Sequence, residues 1–527
     1  MKSQEVALAC LPWKISGNRS PSLEEKSINP DSALGVEHVG LLYLRTLLEN
    51  EDIRTRAHDF SFDAFHGERS TLTEYTDEIL RKDPSIVGFS PYFTSVIDTF
   101  DVARQIKKRS PKTKIILGGS HASHTAREIL EDHQSIDAIF LGESFETIVP
   151  GTKALLTDSQ LKGIQGIMFR HGEKIIDNGW GSKVPLDKLP TPERSRNLYK
   201  STKTASIMPS VGCIAACSYC SCEALRDHSW RTRSPDNIER EIESLKRDFE
   251  IDTIETHCDD AFGLARQAIQ TYTNLAQTLI KNNTGIRWRS VLRATDFGNK
   301  GRLVNENFWK LLRESGLERV YIGFEGGTDE RLRSLRKPAS VDHNKRAFNF
   351  LTNLGIAVQY GFIMFFPDST PEEIRQNHDF LYDLRNTSFH NYSSSLILLP
   401  GSDYFEKYNL EGKLTRPLYG PQPYVFSNSQ VADIHKGYNR FAMEQQLIDM
   451  LCNDLGYSIT RGCTRTFHQG RNLNVKEEFL EERARDLHKV GRKALEQPNE
   501  TFNILSEFNQ HWQTKYGDYI NKNATTI

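Results

Sequence analysis

Gly212-Cys-Ile-Ala-Ala-Cys-Ser-Tyr-Cys220 places three cysteines, Cys213, Cys217 and Cys220, at the spacing C-x3-C-x2-C on one short stretch. Three thiolates this close can hold a cubane iron–sulfur cluster while leaving one iron without a protein ligand, and an open iron is a place for chemistry. The chain carries 8 cysteines in 527 residues, so a chance triplet at one fixed spacing is expected roughly a few times in a thousand. A structural zinc knuckle with Cys222 as fourth ligand is the other reading. Zinc knuckles are usually built from two separated pairs, and no second pair occurs here.

Outward from that loop, the composition is that of an ordinary water-soluble protein, 38% hydrophobic and 26% charged. The length leaves room for two to four domains. A net charge of -2 gives no reason to expect nucleic acid or a membrane surface as partner. No apolar run has the length of a membrane span, and the start MKSQEVALACLPWK lacks a signal-peptide pattern. A cytoplasmic protein with reduced cysteines is expected.

Residues 1–180 alternate short apolar runs with helical patterns. Strands are expected at Val6–Ala9, Ser85–Ser90, Lys114–Leu117 and Asp137–Leu141, and helices at Glu37–Leu48, Val96–Lys108 and Ala126–Asp132. That alternation predicts a doubly wound parallel α/β sheet, with ligands beyond the carboxyl ends of its strands. Ser90, the turn Gly118-Gly119-Ser120-His121-Ala122, and Gly142-Glu143 stand at those ends. Glycines there let backbone amides approach a ligand, although Gly-Gly after a strand is also an ordinary tight turn. No G-x-G-x-x-G occurs, which argues against a nicotinamide domain.

Residues 181–204 are polar, broken by prolines and without period, and read as a linker. From 205 to 395 further βα units follow, with strands at Ala205–Met208, Ile251–Thr256, Trp288–Leu292, Arg319–Phe324 and Val358–Met364. The pattern predicts a partial or complete parallel barrel with its working residues at the carboxyl strand ends. Asp259 and Asp260, Arg293, Glu325, and Phe365 to Thr370 occupy those ends. An acidic pair there can also be a helix N-cap, and Glu325 a solvated strand end. Residues 396–527 are polar and mainly helical in pattern, over Phe441–Leu455 and Lys476–Leu495, with Cys452 and Cys463 too isolated for a local metal motif.

The cysteine spacing, with Tyr219 before the last cysteine, resembles the radical S-adenosylmethionine (radical SAM) superfamily. The motifs DDAF, IGFEGG and FIMFFPDST resemble the second, fourth and fifth strand ends of its (β/α)6 partial barrel. GGSHA with DAIFLGESFET, and Ala33 to Tyr43 before them, resemble the Rossmann-like cobalamin-binding domain that precedes many radical SAM domains. LDKLPTP resembles the connector between the two. The resemblance covers about residues 30 to 395 and implies a 4Fe-4S cluster on Cys213, Cys217 and Cys220. It implies SAM contacts at Tyr219, Asp259, Asp260, Arg293 and Glu325, and cobalamin contacts at Ser90, Gly118, Gly119, Ser120, His121, Gly142 and Glu143. Two departures stand out. The cobalamin motif D-x-H-x-x-G is absent, since Asp63 and His66 are wrongly spaced and Asp132 and His133 adjacent, so no histidine is set to ligate cobalt and His121 reads as a turn or packing residue. The usual fifth-strand G-x-P-G-E-T has Phe365, Asp368 and Ser369 in place of its two glycines and glutamate, which would reshape the adenine or substrate pocket.

The family's chemistry is reductive cleavage of SAM to a 5′-deoxyadenosyl radical, fed by an external one-electron donor of flavodoxin or ferredoxin type. With cobalamin, the expected outcome is methylation of an unactivated carbon, or of phosphorus, in a natural-product, peptide or tetrapyrrole precursor. Two alternatives stay open: a cyclase, rearrangement or oxidoreductase that uses both cofactors without methyl transfer, and a zinc-stabilised binding protein.

Overall fold

The computed structural model describes residues 5–12, 37–60, 71–195, 203–222, 229–263, 265–297, 305–384, 389–420, 422–440, 465–468, 471–474, 477–508, 510 and 524–526. Asp63, His66, Cys452, Cys463, the helix expected over Phe441–Leu455 and part of the linker lie outside them. Contacts divide the chain into two compact units. The first is Met1–Ile214, Tyr219–Asp259 and Leu398–Pro423; the second is Ala215–Ser218, Asp260–Ile397 and Tyr424–Ile527.

In the first unit, β1 (Val6–Cys10), β2 (Thr55–Asp59), β3 (Ile86–Phe89), β4 (Lys114–Leu117), β5 (Ala138–Phe140), β6 (Ile167–His171) and β7 (Lys174–Asp177) form one sheet in the order β2-β1-β3-β4-β5-β6-β7. The first five are parallel; β6 and β7 add an antiparallel hairpin at the edge. Strands covered on both faces must be apolar throughout, and IVGF of β3 is buried at every position. The helices around the sheet are α1 (Val39–Glu49), α2 (Leu72–Leu80), α3 (Val96–Arg109), α4 (Gly119–His124), α5 (Ala126–Asp132) and α6 (Ile148–Leu156). Thr71 and Glu74 close a capping box on α2. Because the chain leaves β1 for β2 and returns to β3 on the other side, the crevice of this sheet opens at the β1 and β3 ends.

The same unit contains β8 (Thr204–Ile207), the antiparallel pair β9 (Ser210–Gly212) and β10 (Trp230–Thr232), α7 (Pro235–Phe249) and β11 (Thr253–Thr256), which runs parallel to β8. Ser234-Pro235 starts α7, with proline at the first turn, where its missing N–H costs nothing. The connector is packed rather than loose. Val184, Leu186 and Leu189 are buried with Val39, Tyr43, Met208 and Val211. Beside them Arg194 pairs with Glu37 at 3.1 Å and Glu241 at 2.8 Å, and Arg233 also pairs with Glu241. None of these four side chains is more than 3% exposed. Two arginines and two glutamates cancel in charge, which is what lets them be buried together.

In the second unit β12 (Arg287–Arg293), β13 (Leu317–Glu325) and β14 (Ala357–Phe362) are parallel, with β13 between the others. Helices α8 (Ala265–Lys281), α9 (Glu306–Glu314), α10 (Asp329–Ser334), α11 (Val341–Asn353) and α12 (Pro371–Leu384) connect and follow them. Beyond β14 the next parallel pairing is a single bridge between Phe365 and Ser395. The C-terminal region holds α13 (Glu477–Glu496) and a small antiparallel sheet of β15 (Arg465–His468), β16 (Arg471–Asn474) and β17 (Ala524–Thr526). Among the described residues no helix is long and apolar enough to cross a membrane.

Candidate functional site: two sets of strand ends and a cysteine loop

At the β3, β4 and β5 ends the polar groups are small and mutually bonded. Ser123 Oγ donates to the Gly119 carbonyl at 2.7 Å and accepts from the Gly142 amide at 2.9 Å. Gly119 has φ of +86°, and a Cβ there would come within 2.8 Å of Ser90 Oγ, so only glycine leaves this notch open. The structure therefore brings Ser90, Gly118, Gly119 and Gly142 together; Ser120 is exposed. His121 turns elsewhere: its Nε2–H donates to the Tyr419 carbonyl at 2.8 Å. Burial pushes its pKa down to about 4, so the ring is neutral. Glu143 is ion-paired with Arg231 rather than turned toward the notch. The segment Leu398–Pro423 supplies further contacts to this loop cluster, with Tyr419 Oη 2.8 Å from His133 Nε2 and the Leu418 amide donating to Glu128 at 2.9 Å.

Sequence reasoning missed three residues here. Ser123 joins two of the loops; His124 has a buried Nε2 with no hydrogen-bond partner; Trp180 is half exposed beside Gly142, with its ring 6.1 Å from that of His124. A glycine notch, an open aromatic face and an orphaned ring nitrogen suit a large, mostly apolar cofactor with amide side arms, so the residues fit a corrin.

On the cysteine loop, Cys217 is buried and Cys213, Cys220 and Cys222 are half-buried, and no described cysteine is in a disulfide. Gly212, with φ of +99°, pairs with Trp230 across β9 and β10, and a Cβ there would collide with the Ser229 carbonyl. Asp259 accepts the Gly212 amide at 2.7 Å and the Cys222 thiol at 3.3 Å. The Cys222 amide donates to Cys220 Sγ at 3.4 Å. In the second unit, Ser218 at the middle of the loop donates its amide to the Leu335 carbonyl at 2.9 Å. Among the described residues no three His, Cys, Asp or Glu side chains converge where one metal ion would sit. A cubane asks for something else, since each thiolate binds a separate iron. Three cysteines outside any disulfide, on a loop whose entry and exit are both held by Asp259, fit that demand.

The strand ends of the second unit are charged. Asp260, almost fully buried, accepts from Arg293 Nε at 2.5 Å and from the Phe262 amide at 3.1 Å. Glu325 sits at a break in the β13–β14 register with φ of +65°, a left-handed conformation that costs a non-glycine residue roughly 1–3 kcal/mol. Its carboxylate pairs with the buried Lys337 at 3.4 Å. Lys337 was missed in the sequence, because no local pattern ties it to Glu325. Asp368 is held by Arg331 at 3.0 Å, and that guanidinium also grips Glu373 in a two-pronged pair at 2.7 and 2.8 Å. Phe365 is fully buried against Phe426, His435 and Tyr438, so its bulk anchors the C-terminal chain rather than reshaping an open pocket. Tyr219 is half-buried on the cysteine loop.

Comparison with known proteins agrees with this geometry. The Radical SAM superfamily matches residues 207–381, and the B12 binding domain matches residues 31–149. An uncharacterized methyltransferase of Pyrococcus horikoshii is 26% identical over 343 residues, which is 64% of this chain and 71% of that one. Hopanoid C-3 methylase of Methylococcus capsulatus is 25% identical over 321 residues, 59% of either chain. An anaerobic magnesium-protoporphyrin IX monomethyl ester cyclase of Rubrivivax gelatinosus is 25% identical over 370 residues, 65% of this chain and 63% of that one. The chain thus spans about three fifths of the length of the last two. Among solved structures, the cobalamin-dependent S-adenosylmethionine radical enzyme OxsB superposes with a TM-score of 0.71 over 96% of this chain and 75% of that one, at 16% identity, a likeness of fold. The cofactors of such a protein are a 4Fe-4S cluster, SAM and cobalamin. With a B12 binding domain ahead of its cysteine loop, the chain belongs to the B12-binding radical SAM superfamily.

Proposed function

We propose that this radical SAM enzyme is a cobalamin-dependent methyltransferase acting on an unactivated carbon, or on phosphorus, of a small-molecule, peptide or tetrapyrrole precursor. The observation that carries the reading is the pairing of a glycine-notched sheet end with a three-cysteine loop in a chain whose relatives include methylases. When bound, the cluster with SAM supplies a carbon-centred radical and the corrin a transferable methyl group. Such chemistry is needed because unactivated C–H bonds lie far outside the acid–base range that side chains reach.

The chain's own residues then bind, orient and exclude water. Cys213, Cys217 and Cys220 are the cluster ligands in this reading. The Asp260–Arg293 and Glu325–Lys337 pairs offer both signs of charge at the strand ends, which suits the ammonium, carboxylate and ribose hydroxyls of SAM. Ser90, Gly118, Gly119 and Gly142 form the corrin cradle, with Ser123 tying two of its loops together. His121, neutral and donating to Tyr419, braces that cradle rather than ligating cobalt. Glu143 acts through Arg231. Residues 424–440 cover the carboxyl end of β14: Tyr424 donates to the Phe365 carbonyl at 3.4 Å and His435 lies 2.8 Å from Ser395. An external one-electron donor completes the system.

The test is anaerobic turnover with SAM, reductant and hydroxocobalamin, with candidate acceptors, read for two products. 5′-Deoxyadenosine together with S-adenosylhomocysteine supports methyl transfer. The similarity to the Rubrivivax cyclase keeps a second reading in view, and there 5′-deoxyadenosine forms without S-adenosylhomocysteine.

A further inference from the structure

Asp259, expected to touch SAM, faces the cysteine loop. Its Oδ2 accepts the backbone amide of Gly212, the residue before the first cysteine, at 2.7 Å. Its Oδ1 accepts the thiol of Cys222, two residues after the last cysteine, at 3.3 Å. One carboxylate therefore ties the entry of the loop to its exit. The entry is fixed independently by the β9–β10 pairing of Gly212 with Trp230, and by a backbone conformation that admits no side chain. At the exit, the Cys222 amide points at Cys220 Sγ, 3.4 Å away.

We infer that Asp259 and Cys222 form a clamp that holds the cluster loop closed, with Cys222 a positioning residue and not a fourth iron ligand. The inference rests on the cluster reading above and adds two residues to it. Cys222 Sγ is directed to Asp259 Oδ1 at 3.3 Å, and its amide rather than its sulfur faces Cys220. Fixing both ends of the loop before metal arrives removes chain entropy that the cluster would otherwise have to offset. The Cys222 amide places a donor on a ligand sulfur, and such hydrogen bonds to cluster sulfurs tune the potential. The carboxylate adds a negative charge near the loop, which makes the cluster harder to reduce.

The test reconstitutes the full chain anaerobically with iron and sulfide. Wild type, Cys222→Ala, Cys222→Ser and Asp259→Asn are compared by iron content, by electron paramagnetic resonance of the reduced cluster, by iron loss to a chelator and by midpoint potential. Cys222→Ala is expected to hold the same iron as wild type, about four per chain, with an unchanged resonance, and to lose it about fivefold faster. Cys222→Ser should restore the slow loss, because its hydroxyl can also donate to Asp259. Asp259→Asn should lose iron faster and move the potential upward, a shift that a merely structural residue would not produce. Failure of the cluster reading would appear as a wild-type chain that takes up zinc but no iron and sulfide, and the clamp falls with it. Failure of the clamp alone would appear as a wild-type cluster with either of two results: Cys222→Ala protein deficient in iron, making Cys222 a ligand, or all variants losing iron at the wild-type rate.

Discussion

The two sets of strand ends are built from opposite materials. Those of β3, β4 and β5 are mainly neutral: glycine, serine and backbone amides, with a histidine held uncharged by burial and the carboxylate of Glu143 paired with Arg231. Those of β12 and β13 are charged, with Asp260 against Arg293 and Glu325 against Lys337. A neutral notch makes room and offers hydrogen bonds without a field, which is what a bulky cofactor rimmed with amides requires. Paired charges of both signs cost desolvation and are kept where a small zwitterion must be oriented. The chain after β14 serves both kinds: Leu398–Pro423 braces the neutral loops of the first unit, and residues 424–440 pack on Phe365 and Ser395 in the second.

The comparison breaks most completely at the cysteine loop. Cys213→Ala, Cys217→Ala or Cys220→Ala should abolish 5′-deoxyadenosine formation while leaving corrin uptake intact, measured by product chromatography and corrin absorbance. Next in size is the buried charge network. Glu241→Gln takes the carboxylate partner from Arg233 and leaves Arg194 with Glu37 alone, both arginines no more than 3% exposed, and should cost about 3–5 kcal/mol of stability in urea unfolding. Lys337→Met leaves a strained Glu325 without its cation, and should raise the KM for SAM about tenfold with little change in corrin affinity. Gly119→Ala forces a side chain into a left-handed site beside Ser90, a cost of about 1–2 kcal/mol, and should weaken cobalamin binding about tenfold at unchanged iron content.

The smallest effect is a pH dependence. Burial lowers the pKa of His38, His58 and His121 to about 4, whereas in the unfolded chain each protonates near 6.5. The unfolded state therefore takes up protons first, so the stability due to these neutral rings is present above about pH 6.5 and is lost as the pH falls toward 4. His121→Gln keeps the donor to Tyr419 and should flatten this slope by roughly 1 kcal/mol at pH 6, read by thermal unfolding across that range.

Much of this was legible in the sequence because it was local. Lys114–Leu117 and Ala126–Asp132 fall where their apolar period put them, and Pro235 marks the start of α7. What depended on distant partners was not. Nothing nearby in sequence reveals that Glu37, Arg194, Arg233 and Glu241 neutralise one another in the interior. Asp259 was expected to touch SAM on the likeness of DDAF to a strand-end motif, and its bond to Gly212 spans 47 residues, which no local pattern reveals. The β6–β7 and β9–β10 hairpins escaped notice because their strands are short and half polar.

The central claim is that one chain carries a cluster site and a corrin site of separate construction. The direct measurement is iron and corrin stoichiometry of the anaerobically reconstituted chain, beside Cys217→Ala and Gly119→Val. The account predicts about four irons and one corrin for the wild type, loss of iron alone in the first variant, and loss of corrin alone in the second. Parallel loss of both groups in either variant, or a wild-type chain that binds no corrin, would contradict it.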